Sequence, residues 1–234
     1  MSVISRKLVS LLLIMTASVS AQNIQAQNRD SNFWFEYHRE MAENGNAAAQ
    51  YELGMCYFAG NGVLQDYQKA AYWFMQAAQQ GDMHAQYAIG ACYLEGKGVE
   101  RNISYAIDWY EKSARQGYVV AQCELGCCLI HMQDYESAFE WMYKAAQAGF
   151  PKAQFNLGQM YYRGHGVQAD FNKFEYWVRK SANQGYADAQ VLLGDAYLTV
   201  DMNESIRWYR MAADQGNEQA TYKIRHCERM IRAR

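Results

Sequence analysis

Two markers recur along this chain at nearly constant spacing, and a chain that repeats one short module must bury its apolar surface by stacking each copy against the next. Glutamine stands at Gln50, Gln86, Gln122, Gln154 and Gln190, each followed four residues later by glycine, at Gly54, Gly90, Gly126, Gly158 and Gly194. Both series advance by 36, 36, 32 and 36 residues. A second pair runs in step: Trp73, Trp109, Trp141, Trp177 and Trp208 each precede by eight residues Gly81, Gly117, Gly149, Gly185 and Gly216. Five units follow, at 47–82, 83–118, 119–150, 151–186 and 187–217. The spacing Tyr37 to Gly45 marks a leading half-unit over 31–46, and Gly216 to Ala220 opens a trailing one over 218–234; both are expected to be capping helices.

Each unit reads as two helices. In the first, Ala49, Leu53, Cys56 and Tyr57 fall at i, i+4, i+7 and i+8, the spacing of one buried helical face. A glycine there weakens an isolated helix by about 1 kcal/mol relative to alanine, so its return in every unit points to close helix–helix approach. The second helix is expected to start after Asp66, Asn102, Asp134, Asp170 and Asp201, each seven residues before its Trp and each able to accept from first-turn amides. Asp201 with Glu204 adds a candidate capping box. With Pro151 the only proline and alanine, leucine and methionine common, the class is all-α.

Between the helices, units one, two and four carry Gly60-Asn61-Gly62-Val63, Gly96-Lys97-Gly98-Val99 and Gly164-His165-Gly166-Val167. A glycine-rich loop can cradle phosphate, but no GK[ST] follows any of these, so the reading is structural: glycine for positive φ, valine to plug the core. Units three and five lack the loop, are shorter, and are expected to turn as ordinary tetratricopeptide hairpins do.

The pattern A-x-x-x-L-G-x-x-Y-x-x-G-x-G-V, followed by a K-A-x-x-W-x-x-x-A-A-x-x-G half, resembles the Sel-1-like repeat family, a relative of the tetratricopeptide repeat with a longer hairpin loop, over residues 47–217. The resemblance implies a right-handed α-α superhelix, a solenoid whose first helices line a concave surface. It also implies a role as adaptor or scaffold in protein assemblies, an inference by analogy because fold does not fix function. Some secreted members carry disulfide-forming cysteines at the positions of Ala78 and Gln86. The residues here, and the matching Ala114, Gln122, Ala146 and Gln154, depart from that pattern, so neither that disulfide ladder nor an antibiotic-binding activity of that branch is expected.

Composition bounds the compartment and partner. Arg6 and Lys7, the apolar run Leu8 to Met15 and the small residues Val19-Ser20-Ala21 have the form of a secretory leader, with cleavage expected after Ala21 and a flexible segment over 22–30. The apolar run is too short to span a bilayer and no later one approaches 18 residues, so no membrane-spanning helix is expected in a secreted or periplasmic mature chain. The whole chain carries a net charge of -2, and loss of the leader leaves 20 basic against 24 acidic residues, a balance that argues against sequence-independent nucleic-acid binding. The basic tail, Arg225, Arg229, Arg232 and Arg234, fits a helix C-terminus.

The six cysteines invite a disulfide reading. Registered on the repeat, however, Cys56, Cys92, Cys128 and Cys227 lie two places after the template glycine position, where units four and five have Met160 and Ala196, a buried column of small or apolar side chains. Adjacent helix axes lie about 8–10 Å apart, beyond the roughly 7 Å Cα separation a disulfide tolerates, so mainly unpaired core thiols are expected. Cys123, Cys127 and His131 form a C-x3-C-x3-H stripe that zinc could use, but no fourth ligand accompanies it, and Cys123 aligns with Tyr51, Tyr87 and Phe155, so packing is the expected role. The five histidines are dispersed, and neither H-E-x-x-H, G-x-S-x-G, paired catalytic carboxylates nor a Walker loop occurs. No catalytic, metal or cofactor-binding residue is assigned; the chain reads as a non-enzyme without cofactor.

Binding is expected on the first helices, at positions three before, one after and four after each template glycine. These are Tyr51, Met55 and Phe58 in unit one, Tyr87, Ala91 and Leu94 in unit two, Phe155, Gln159 and Tyr162 in unit four, and Val191, Asp195 and Leu198 in unit five. An aromatic and aliphatic stripe of this kind suits an extended peptide or a partner helix. The expected function is an exported, non-catalytic scaffold for a protein or peptide partner; the competing reading is a binder of cell-wall glycan or another small ligand, with tyrosines stacked on sugar faces.

Overall fold

The computed structural model describes residues 32–232, and these are helical from end to end, with no strand among the described residues. The expected leader at 1–21 and the segment at 22–30 lie outside them. The helices are α1 (32–43), α2 (Ala47–Ala59), α3 (Tyr67–Gln79), α4 (Met83–Glu95), α5 (Ile103–Arg115) and α6 (Val119–His131). They continue as α7 (Tyr135–Gln147), α8 (Pro151–Arg163), α9 (Phe171–Asn183), α10 (Ala187–Tyr197), α11 (Met202–Ala213) and α12 (Glu218–Arg232). Pairs α2–α3, α4–α5, α6–α7, α8–α9 and α10–α11 are the hairpins of the five units. The second helices begin where the sequence supplies an oxygen: Asp66, Asn102, Asp134, Asp170 and Asp201 each accept from the amide three residues on, at 3.0–3.2 Å. The Glu204 carboxylate turns to Arg207 at 3.4 Å.

The described residues form two compact units, divided between Trp109 and Tyr110. In the first, Phe35, Ala42, Ala49 and Leu53 pack with Trp73 and the loop valine Val63, and Phe74, Ala77, Ile89 and Cys92 pack with Val99. In the second, Met142, Leu157, Val178, Leu193 and Trp208 belong to one continuous apolar cluster against which Val167 packs. Valine thus closes the core from each of the three long loops. Ala49 and Leu53 are buried as the helical spacing predicts, whereas Cys56 and Tyr57 are half-buried. Cys92, Cys128, Met160 and Cys227 are buried in their column, but Ala196 is exposed: unit five has no long loop to close over it, and α10 ends one residue later. All six cysteines stand as free thiols.

The template glycine is where the second helix of the same unit seats a side chain. A Cβ on Gly54 would lie 2.5 Å from the Phe74 ring, on Gly126 2.9 Å from Met142, on Gly158 2.7 Å from Val178 Cγ2 and on Gly194 2.3 Å from the Tyr209 ring. Real Cβ contacts are not this short, so in these four hairpins a side chain at the template position would force its neighbour to shift. The position recurs once more, nine residues after Gly216, but there it holds Arg225, which is exposed on α12.

The template glutamine ties one unit to the next. Nε2 of Gln50, Gln86, Gln122, Gln154 and Gln190 donates to the carbonyls of Ala42, Ala78, Ala114, Ala146 and Ala182, at 3.1–3.2 Å. Those carbonyls lie in the last turn of the preceding helix, and each also accepts from the glycine amide three residues on, at 2.9–3.1 Å. The positions that carry disulfides in the branch noted above are therefore joined by a hydrogen bond here. A second glutamine completes the link, with Gln80, Gln184 and Gln215 donating to Oε1 of Gln50, Gln154 and Gln190 at 2.7–2.8 Å. In unit three Ala148 stands at that second position.

Two stability measurements test these contacts. Gly158→Ala should lower stability by about 1–2 kcal/mol in denaturant unfolding, because rigid Val178 and the Phe174 carbonyl, 3.2 Å away, outweigh the gain of about 1 kcal/mol in helix propensity. Gln154, only 1% exposed, holds both links, so Gln154→Leu should cost about 2–3 kcal/mol, and Gln122→Leu, with one link, about half as much.

Candidate functional site

The long loops of units two and four do more than close hairpins: each rests on the unit before it. A Cβ on Gly98 would fall 1.9 Å from the Tyr67 carbonyl oxygen and one on Gly166 2.1 Å from that of Tyr135, so the loop backbone lies directly on the first residue of the preceding second helix. Both glycines also have positive φ, +74° and +68°, which L side chains rarely adopt. The residue between the paired glycines then covers an aromatic ring. Lys97 Nζ lies 5.3 Å from the Phe58 ring and 5.7 Å from that of Tyr67, within cation–π range. Glu95, 2.6 Å from Lys97, fixes it there and raises its pKa. His165 stacks on Tyr135 with ring centroids 4.0 Å apart.

Phe171 is the equivalent of Tyr67 and Tyr135, and the unit after it is the short one. α10 stops at Tyr197, α11 starts at Met202, and no GxGV loop comes back across α9. Phe171 is accordingly 64% exposed and Tyr162 60%, their rings 5.4 and 5.2 Å from that of the buried Phe174. This aromatic group combines the fourth-position residue of a first helix with the opening residue of a second.

The other stripe residues divide by environment. Met55 is exposed; Tyr51, Phe58, Tyr87, Leu94, Phe155 and Gln159 are half-buried. Tyr51 packs 5.9 Å from both Phe74 and His84, Phe58 lies 5.2 Å from Tyr67, and Phe155 lies 5.4 Å from Tyr186, so each is partly engaged in the stacking of units. Val191 requires a correction: at 6% exposure it packs in the core with Ile206, Tyr209, Ala212, Ala220 and Cys227, because α12 covers that side of α10, and it presents no surface to a partner. Asp195 accepts from Tyr209 OH at 2.6 Å and pairs with Lys223 at 2.5 Å, and Leu198 lines a cavity of about 430 Å³ with Tyr222 and His226 beneath α12. Burial, with the Asp195 hydrogen bond, raises the Tyr209 pKa.

Of the C-x3-C-x3-H stripe, Cys123 is buried, Cys127 half-buried and His131 exposed. No three His, Cys, Asp or Glu side chains gather at metal-binding distance among the described residues. No helix among them is long and apolar enough to cross a membrane.

Tandem helical hairpins, a glycine seat inside each and glutamine links between them define a repeat protein of the helical-hairpin class. The match extends to the family itself: the Sel1 repeat is found at 47–82, 84–118, 119–150, 151–186 and 187–217, and the chain belongs to the Sel1 repeat family. Repeats of this family act in general as protein-interaction scaffolds, and the fold is typically non-catalytic.

Among solved structures, the chain is similar to a protective antigen present in uropathogenic Escherichia coli strains that displays an SLR fold (33% identity, TM-score 0.72). The match covers 82% of this chain but 43% of the antigen, so the chain spans less than half of that protein's length. A Sel1 repeat protein from Oxalobacter formigenes is similar over 85% of this chain and 86% of its own (28% identity, TM-score 0.74). An immunity protein of Pseudomonas aeruginosa, at 23% identity and TM-score 0.53 over 74% of this chain and 67% of its own, shares the fold. No curated protein matches the chain.

Phe171 is the residue that sequence reasoning passed over, since it lies on a second helix. The missing loop of unit five was the available signal, but its consequence depends on which ring the loop covers in the other units. Exposure predicts a sharp split in stability: Tyr162→Ala and Phe171→Ala should each change unfolding free energy by less than about 1 kcal/mol, whereas Phe174→Ala should cost about 3–5 kcal/mol. Urea unfolding of the three variants checks this.

Proposed function

We propose that this protein is an exported scaffold that holds a peptide or partner helix on its first-helix face, anchored by Tyr162 and Phe171. The observation that carries this reading is the aromatic group around Phe174, uncovered by the short fifth unit where the other long-loop contacts shield the equivalent rings. Large rigid rings confer contact area at low entropic cost and dominate binding energy when buried by a partner. Phe155 and Gln159, half-buried and on α8 like Tyr162, supply weaker contacts, and Met55, Phe58 and Leu94 hold the same template positions in units one and two. The leader-like form of residues 1–21 supports the export part of this reading.

The test is affinity capture of the tagged chain from the extracytoplasmic fraction of its host, with and without Tyr162→Ala/Phe171→Ala. Loss of roughly 2 kcal/mol or more at an aromatic anchor corresponds to about a 30-fold fall in affinity, so bound protein should disappear from the double variant while its circular dichroism is unchanged. Unchanged protein capture, with loss of retention on isolated cell-wall glycan, would transfer the aromatic group to sugar binding and overturn the scaffold reading. Recovery of the chain in the cytoplasm with residues 1–21 attached would overturn the export part.

A further inference from the structure

A nucleophile lies on the first-helix positions of unit three, apart from the aromatic group. Cys123 and Cys127 stand three before and one after Gly126, one turn apart on α6, so their side chains share one side of the helix. Around the Cys127 sulfur, hydrogen-bond donors converge from two helices. The Cys123 thiol is within hydrogen-bonding reach, and Asn156 Nδ2 on α8 lies 3.5 Å away. Lys152, one turn before Asn156, brings its ammonium to the same seam, held 2.6 Å from Glu124. A sulfur that accepts from a thiol and an amide beside an ammonium is in surroundings that favour the thiolate over the neutral form.

The two thiols titrate in opposite directions. The hydrogen bond from Cys123 lowers the Cys127 pKa; burial opposes this and Lys152 and Asn156 reinforce it, while Glu124 works the other way. Cys123, which gives that hydrogen bond and is also buried, is raised. Burial pushes Cys92 and Cys128 up to about 11, and with Glu52 it raises Cys56.

We propose that Cys127 is a thiolate modification site at which this protein reacts with hydroperoxides and soft electrophiles, with Cys123 and Asn156 as hydrogen-bond donors to the sulfur and Lys152 as the nearby cation. With a hydroperoxide, the thiolate sulfur attacks the terminal oxygen. An S–O bond forms, the O–O bond breaks, and the departing oxygen takes a proton from solvent and leaves as water or alcohol. Cys127 is oxidised to the sulfenic acid and the hydroperoxide is reduced. The sulfenic acid is the end of the step while α6 is intact. Residues four apart on a helix hold their Cβ atoms about 5–6 Å apart, whereas a disulfide needs about 3.5–4.5 Å.

The experiment uses the folded, reduced full chain and limiting iodoacetamide across a pH series, with modification at each cysteine followed by peptide mass spectrometry. At about pH 6.5, below the ordinary thiol pKa of about 8.5, Cys127 should be alkylated about tenfold faster than Cys56, the other half-buried thiol. Its rate should rise with a midpoint below that of a free thiol. Lys152→Met should move this midpoint upward and slow alkylation severalfold at low pH, leaving the rate near pH 9 little changed, which a simple difference in access would not do. Treatment with hydrogen peroxide and dimedone should place the dimedone adduct on Cys127. Alkylation of Cys127 no faster than Cys56, a midpoint at or above that of a free thiol, a Cys123–Cys127 disulfide, or no adduct would each overturn the proposal; the first two are read on the unmutated chain and do not depend on whether a variant folds.

Discussion

The buried amide of the template glutamine is the contact on which the stacking of units depends. A helix leaves its last carbonyls without intrahelical partners, and one of these in the second helix accepts both from the glycine amide that follows the helix and from the glutamine of the next unit, as in Gln154 to Ala146 and Gln190 to Ala182. Apolar packing alone is indifferent to small shifts of register. A directional bond at every seam removes that freedom, and the second glutamine, where present, orients the first. The arrangement stops at the last seam: Thr221, in the first turns of α12, occupies the glutamine position and donates to Asn217 O, and α12 is held instead by the apolar cluster around Val191 and by the Lys223–Asp195 pair.

Loop length then decides which rings are covered. A long loop reaches back and lays its glycine on the preceding second helix, so Lys97 shields Tyr67 and His165 shields Tyr135. Deleting the loop in unit five shortens a hairpin in one place and exposes an aromatic surface in another. Surface for recognition arises here by subtraction, at no cost to the core, since Phe174 stays buried beneath Phe171 and Tyr162.

Much of this was legible in the residues. Helix starts followed from the acids and the amide that cap them, the glycine seats from a costly residue repeated in the same place, and the cysteine column from its register. What escaped was whatever depends on two units at once. The glutamines were visible as markers, but their acceptor is a backbone carbonyl and leaves no side-chain signature. Val191 shares its template position with Tyr51 and Phe155, yet α12 packs over it, so position within the repeat could not reveal its burial. Cys127 owes its surroundings to Lys152 and Asn156 on the next unit's first helix, again beyond a reading of one module at a time.

Arg225 occupies the seat that glycine holds in every complete hairpin, and a guanidinium side chain there fills the space a further second helix would need. A second helix packed on α12 in the register that α3 or α9 uses would therefore meet a guanidinium side chain where those helices meet a bare glycine. A whole module duplicated upstream of α12 would meet no such side chain. The terminal helix would be carried along unchanged, like the fixed end-piece of a chain to which links are added only in the middle.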